Sequence, residues 1–97
     1  MKTESNYNLA LSVVCAVCGV SQDEVFKGNS ELCVDARILL IGWMSGYGYT
    51  EATLSRLTGW SQQRINYLKN HASERLIRRV FRDQYDDVSR QMAALIG

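Results

Sequence analysis

The chain has 97 residues, is 46% hydrophobic, contains no proline and carries a formal net charge of +1. That length suits one domain, and that apolar share suits a packed core rather than a disordered chain. No apolar run approaches the roughly 20 residues of a membrane span, and the polar opening MKTESNYN lacks signal-peptide order. Three cysteines are too few for a disulfide framework, so a reducing compartment, the cytoplasm, is expected.

The distribution of charge says more than its total. Residues 1–60 carry four Lys/Arg and six Asp/Glu, net −2, whereas residues 61–97 carry seven and four, net +3. The excess lies in Arg64, Lys69, Arg75, Arg78, Arg79 and Arg82. A basic half beside an acidic half suits a nucleic-acid face, and it equally suits solvated helix faces.

In chain order, residues 8–18 place Leu11, Val14, Cys15 and Cys18 on one helical stripe, with Gly19 as the stop. Ser21 and Glu24 form the pattern of a capping box for the short helix SQDEVFK, closed by Gly28. Asn29 or Ser30 then caps ELCVDARILLIGWM, whose second half is apolar on every side and predicts a central buried helix. Gly46 and Gly48 mark a turn, and Thr50 starts the short helix TEATLSRL with Glu51 in its first turn. After the turn TGW, Ser61 caps SQQRINYLKNH. Residues 73–96 repeat Ile77, Phe81, Val88, Met92 and Leu95 at helical spacing, while the polar RDQYDD leaves one helix or two open. The expected architecture is all-α: a compact bundle of five to six helices, one domain over residues 1–97.

Residues 50–71 carry the chemistry. A DNA-binding helix-turn-helix joins two short helices at a steep angle through a turn of three or four residues that often holds glycine. Ser55 is small where the second helix crosses the first, Gly59 tolerates the turn, and Leu54, Leu57, Trp60, Ile65 and Leu68 are apolar anchors. Ser61, Gln62, Gln63, Asn66, Tyr67, Lys69 and Asn70 are left facing outward. Gln and Asn bond adenine in two places, and Lys bonds guanine or phosphate. The N-terminal end of a recognition helix approaches the bases most closely, which nominates Gln62, Gln63 and Asn66, with Asn70 behind them. Tyr49, Thr50, Arg64 and Lys69 are the expected phosphate contacts. Arg75, Arg78, Arg79 and Arg82 recur at spacings of three and four. They would touch phosphates if their helix lies near a duplex, or pair with Glu74, Asp83 or Asp86 if it does not. The expected partner is double-stranded DNA.

The run VVCAVCGVSQDEVFKG, then Ala36-Arg37 opening ILLIGWM, then TEATLSRLTGWSQQRINYL resembles a known order of elements. It resembles the C-terminal DNA-binding domain of the bacterial replication initiator DnaA, the related helical domain of some transposases, and Trp-repressor-like domains more broadly. The resemblance covers roughly residues 8–80 and implies a helical DNA-reading module. It departs from the initiators where they carry an Asp-His pair, since the stretch here is Gly59-Trp60-Ser61-Gln62-Gln63, so origin-box specificity is not implied. The loop before the Ala-Arg helix has Lys27 as its only cation, and no phosphate-binding GxxxxGK[ST] motif is present.

Other constellations are weaker. Cys15, Cys18, Cys33 and His71 could be arranged around zinc, but a second Cys-x-x-Cys pair is missing and buried packing is the expected role, with no metal or other cofactor. His71, the only histidine, has no local catalytic partner, and Asp83, Asp86 and Asp87 read as a solvated face, so no enzymatic activity is expected. Trp43 and Trp60 read as core, while Tyr47 and Tyr49 read as exposed in a glycine-flanked turn. The rival reading is a helical protein-interaction adaptor. An unburied stripe of Ile77, Phe81, Val88, Met92 and Leu95 would serve it, or would pair two copies into a homodimer.

Overall fold

The computed structural model of the chain describes residues 2–96. These form six helices and no strand: α1 (Lys2–Cys18), α2 (Gln22–Lys27), α3 (Glu31–Gly46), α4 (Glu51–Thr58), α5 (Gln62–Arg75) and α6 (Arg79–Ile96). No helix among the described residues is long and apolar enough to cross a membrane.

Helix α1 starts six residues before its apolar pattern does, because buried Tyr7 extends the stripe one turn toward the N-terminus. Gly19 ends it in the left-handed region at φ +72°, and the N–H groups of Gly19 and Val20 both donate to the Cys15 carbonyl. The capping box of α2 is complete. The Glu24 N–H donates to Ser21 Oγ at 3.1 Å, and the Ser21 N–H donates to Glu24 Oε1 at 3.0 Å. Ser30, not Asn29, caps α3.

Helix α3 is the axis of the bundle. Ile38, Leu39, Leu40, Ile41, Trp43 and Met44 are buried in succession, as a helix walled on all sides requires. Helices α1, α5 and α6 pack around it, and their buried side chains form one continuous core. Arg37 is only 8% exposed, yet its charge is not stranded. Its Nε donates to the Val25 carbonyl at 2.5 Å and its Nη2 to the Gly28 carbonyl. Those carbonyls end α2, where the helix has no internal donors left and where a cation meets the negative end of its dipole. Arg37 therefore fastens α2 to α3.

The segment after α5 corrects the expected stripe. Residues 73–75 finish α5, a break follows at residues 76–78, and α6 begins at Arg79. Ile77 falls in the break and is 85% exposed, and Leu95 is 54% exposed on the outer side of α6. The buried row of α6 is Phe81, Val88 and Met92, with Tyr85 and Ile96 packed against the core beside them. Three of the five stripe residues thus belong to the chain's own interior, which removes the stripe as a surface for a second copy.

Helix α5 approaches α3 closely where Ala72 faces Gly42. A Cβ added at Gly42 would overlap Ala72 Cβ, and Ala72 has no longer side chain that could swing away. Gly42→Ala should therefore push α5 off α3 and cost about 1–3 kcal/mol of stability. Pairing it with Ala72→Gly should recover part of that loss, since the overlap is relieved while a helix glycine costs about 1 kcal/mol. Urea unfolding of the two single variants and the double variant checks this; strictly additive losses would contradict the close approach.

Candidate nucleic-acid interface

Helices α4 and α5 are joined by Gly59, Trp60 and Ser61, and hydroxyls bond both backbone groups of Trp60 at the centre of that turn. Gly59 sits at φ +81° and donates its N–H to the Ser55 carbonyl at 2.9 Å. Thr58 Oγ1 donates to the Leu54 carbonyl and accepts the Trp60 N–H at 3.1 Å. Ser55, the small residue midway in α4, donates its hydroxyl to the Trp60 carbonyl at 2.5 Å. Ser61 caps α5 by accepting the Arg64 N–H at 3.1 Å.

Packing holds this turn against the bundle. Trp60 is buried beside Phe26, with ring centroids 5.3 Å apart, and the Arg64 guanidinium lies 4.8 Å from the centre of the indole. Leu54, Ile65 and Leu68 are buried and Leu57 is half-buried, so all the apolar anchors face inward.

With Ile65, Leu68 and Ala72 against the core, the opposite side of α5 presents Gln63, Asn66, Tyr67 and Asn70 to solvent. Gln62 is exposed at the N-terminal end. Neither Gln62 nor Gln63 makes a side-chain hydrogen bond among the described residues. Asn70 Nδ2 donates to Asn66 Oδ1 at 2.8 Å, one turn apart. Tyr67 is 59% exposed, with its ring centroid 4.2 Å from that of His71. His71 Nδ1 in turn lies 3.7 Å from a Glu74 carboxylate oxygen. Lys69 flanks the face and lies 3.6 Å from Glu51 of α4.

The structure moves several candidate residues away from this face. Arg75 is a half-buried tie to α3, donating through Nη1 to the Asp35 carboxylate, a partner other than the Glu74, Asp83 and Asp86 that spacing offered. Tyr49 is half-buried rather than exposed, with its hydroxyl directed at the Thr3 carbonyl of α1. Tyr47 does stay exposed, stacked on Trp43 at 4.9 Å. The Thr50 hydroxyl is occupied as the α4 cap, accepting from the Thr53 N–H and donating to Thr53 Oγ1. Arg79 is paired at 4.0 Å with Asp83 along the exposed side of α6. Arg78 and Arg82 are exposed and make no ion pair among the described residues. Arg78 lies in the break and Arg82 in the first turn of α6, so neither belongs to α5.

Pattern reading missed two features. One is the buried Arg37 anchor. The other is a groove of about 430 Å³ between α3 and α6, lined by Trp43, Tyr47, Tyr85, Met92, Ala93 and Ile96. Trp43 Nε1 donates to Ser89 Oγ at its floor, and Gly46 leaves the space that the Tyr85 hydroxyl occupies. Tyr85 lies four residues after Phe81, so its inward position was signalled by spacing but masked by the charges of RDQYDD.

In comparisons with known proteins, no family model, no curated protein and no solved structure matches the chain.

The cysteines belong to the core. Cys15, Cys18 and Cys33 are free and buried, and no group of three or more His, Cys, Asp and Glu among the described residues is placed to hold a metal ion. Burial pushes the Cys18 thiol up to about 11, and the same cause, helped by nearby Cys15, pushes the Tyr7 phenol up to about 12. Both groups keep their protons in the folded chain at a pH where the unfolded chain has already released them. Folding stability from these groups is intact below the ordinary thiol value and falls as pH rises from about 9 toward 11. Urea midpoints measured along that range should decline, and Cys18→Ala should flatten part of the decline; an identical pH profile in the variant would contradict burial of the thiol.

Proposed function

We propose that the chain is a non-enzymatic module that reads double-stranded DNA, with α4 and α5 acting as a helix-turn-helix and α5 as the recognition helix. The observation that carries this reading is the side of α5 turned away from the core. Over about two turns it exposes Gln63, Asn66, Tyr67 and Asn70, and α5 holds no carboxylate before Glu74. A merely solvated helix is usually dressed in charges of both signs. A row of amides beside a phenol instead supplies paired donors and acceptors and an apolar ring, the set that base edges in the major groove call for.

The supporting features are local. The turn is braced by three hydroxyls and buried Trp60, so α5 is presented rigidly, as a reading element requires. Arg64 and Lys69 stand on opposite flanks of the amide face, where phosphates on the two sides of a groove would lie. The N–H groups of Glu51 and Ala52 in the first turn of α4, beside Tyr49 and Thr50, can donate to a further phosphate oxygen. The order of a capped short helix, the Ala36-Arg37 helix and then α4–α5 supports kinship with initiator-type and Trp-repressor-like DNA-binding domains. The corresponding roles are transcriptional control, replication or mobile-element biology.

The rival reading, a protein-interaction adaptor, has the apolar groove between α3 and α6 as its favouring observation. The two differ in what duplex DNA does. Under the DNA reading, Gln63→Ala with Asn66→Ala weakens binding to a preferred site by more than tenfold while leaving affinity for random duplex nearly unchanged. With three or four phosphates neutralised, log affinity should fall against log salt with a slope of about −3. Fluorescence anisotropy over a salt series measures both quantities. Equal loss on specific and random duplex would remove the pair from base reading, and no binding to any duplex at low salt would favour the adaptor.

A further inference from the structure

The amides on α5 differ in how far they are already committed, and that difference points to a particular base. Asn66 and Asn70 are tied to each other by a hydrogen bond of 2.8 Å. An amide has one carbonyl and one NH2 group, and this bond uses the carbonyl of Asn66 and one hydrogen of Asn70. The pair therefore retains the NH2 of Asn66 as a donor and the carbonyl of Asn70 as an acceptor. If both amides turned over, the inventory would be the same with the residues exchanged. Either way the locked pair offers one donor and one acceptor side by side. Gln63, one turn nearer the N-terminus and without a side-chain partner among the described residues, offers the same combination from a single amide.

In the major groove only adenine presents a donor next to an acceptor on one base, its N6 amino group beside N7. Guanine presents two acceptors, O6 and N7, and is read by Arg or Lys. The cations nearest this face are ill placed for that task. The Arg64 guanidinium rests on the Trp60 ring and the Lys69 ammonium is drawn to Glu51. Neither projects from the centre of the outward face. Tyr67 adds an apolar ring beside the amides, suited to a thymine methyl group.

We infer that α5 reads adenine: Gln63 takes one adenine through N6 and N7, and the locked Asn66–Asn70 pair takes a second, giving a site with two nearby A·T pairs and no required guanine under α5. This rests on the DNA-binding reading. The Asn66–Asn70 bond orders both side chains before the duplex arrives, so less rotamer freedom is lost on binding than for two independent asparagines.

The test is selection from a pool of randomised duplexes with the purified chain. It is followed by titration of the enriched duplex and of the same duplex carrying 7-deazaadenine at the enriched positions. That base keeps Watson–Crick pairing and N6 but has no N7 acceptor. The expected result is an enriched site with two nearby adenines, an affinity about tenfold lower with 7-deazaadenine at either, and insensitivity to that replacement at one adenine in the double variant Asn66→Ala with Asn70→Ala, which removes the donor to N7 whichever way the amides are turned. Circular dichroism melting of the double variant, altered at two exposed positions, confirms that it is folded. Enrichment of guanine at the contacted positions, or full affinity for the 7-deaza duplex, would overturn the adenine assignment while leaving DNA binding intact. Failure to retain any duplex at low salt would overturn the DNA-binding reading itself.

Discussion

The placement of α5 depends on one close approach, Gly42 of α3 against Ala72 of α5. Without a Cβ at Gly42 the two helices meet almost backbone to backbone, and the longer anchors Ile65 and Leu68 then fill the space toward the N-terminal end of α5. That contact lets a short element with few apolar residues sit firmly on the central helix. It also sets which side of α5 looks outward. A helix of fourteen residues with only three buried side chains has little packing energy of its own, so its orientation is inherited from the surface it rests on.

Around that contact, charge is used mainly for construction. Arg37 closes the end of α2, Arg75 ties α5 to Asp35, Arg56 meets Glu4 of α1 at 3.3 Å, and Lys69 meets Glu51. Of these, Arg75 and Lys69 come from the basic C-terminal half, where Arg79 and Arg90 are likewise paired with Asp83 and Asp87. What remains for a partner is thinner than the sequence count implies: Arg64, Arg78 and Arg82, with Lys69 on the flank. A duplex-binding surface of this kind would gain less from phosphate attraction and more from groups that bond base edges. That balance favours discrimination between sites over strong non-specific binding.

Much of the fold was legible because its signals are local. Ser21, Ser30, Thr50 and Ser61 each cap the helix that follows them, and Gly19 and Gly59 occupy the left-handed positions that end α1 and α4. The apolar run after Arg37 could only be a helix buried on all sides. The inward anchors and outward amides of α5 followed from helical periodicity as well. The failures involve partners distant in the chain or polar neighbours that hide a pattern. Nothing near Arg75 in sequence announces Asp35, forty residues earlier, and nothing near Tyr49 announces the Thr3 carbonyl. Ile77 fitted a helical stripe that the break before α6 interrupts, while Tyr85 was passed over because charged residues surround it.

The central claim is that the outward side of α5 meets a duplex, and amide chemical-shift mapping tests it most directly. Isotope-labelled protein titrated with a selected duplex at low salt should show its largest shifts at residues 61–70 and in the first turn of α4. Amides along the α3–α6 groove should hardly move. Shifts confined to that groove, or an unchanged spectrum at saturating duplex, would contradict the account.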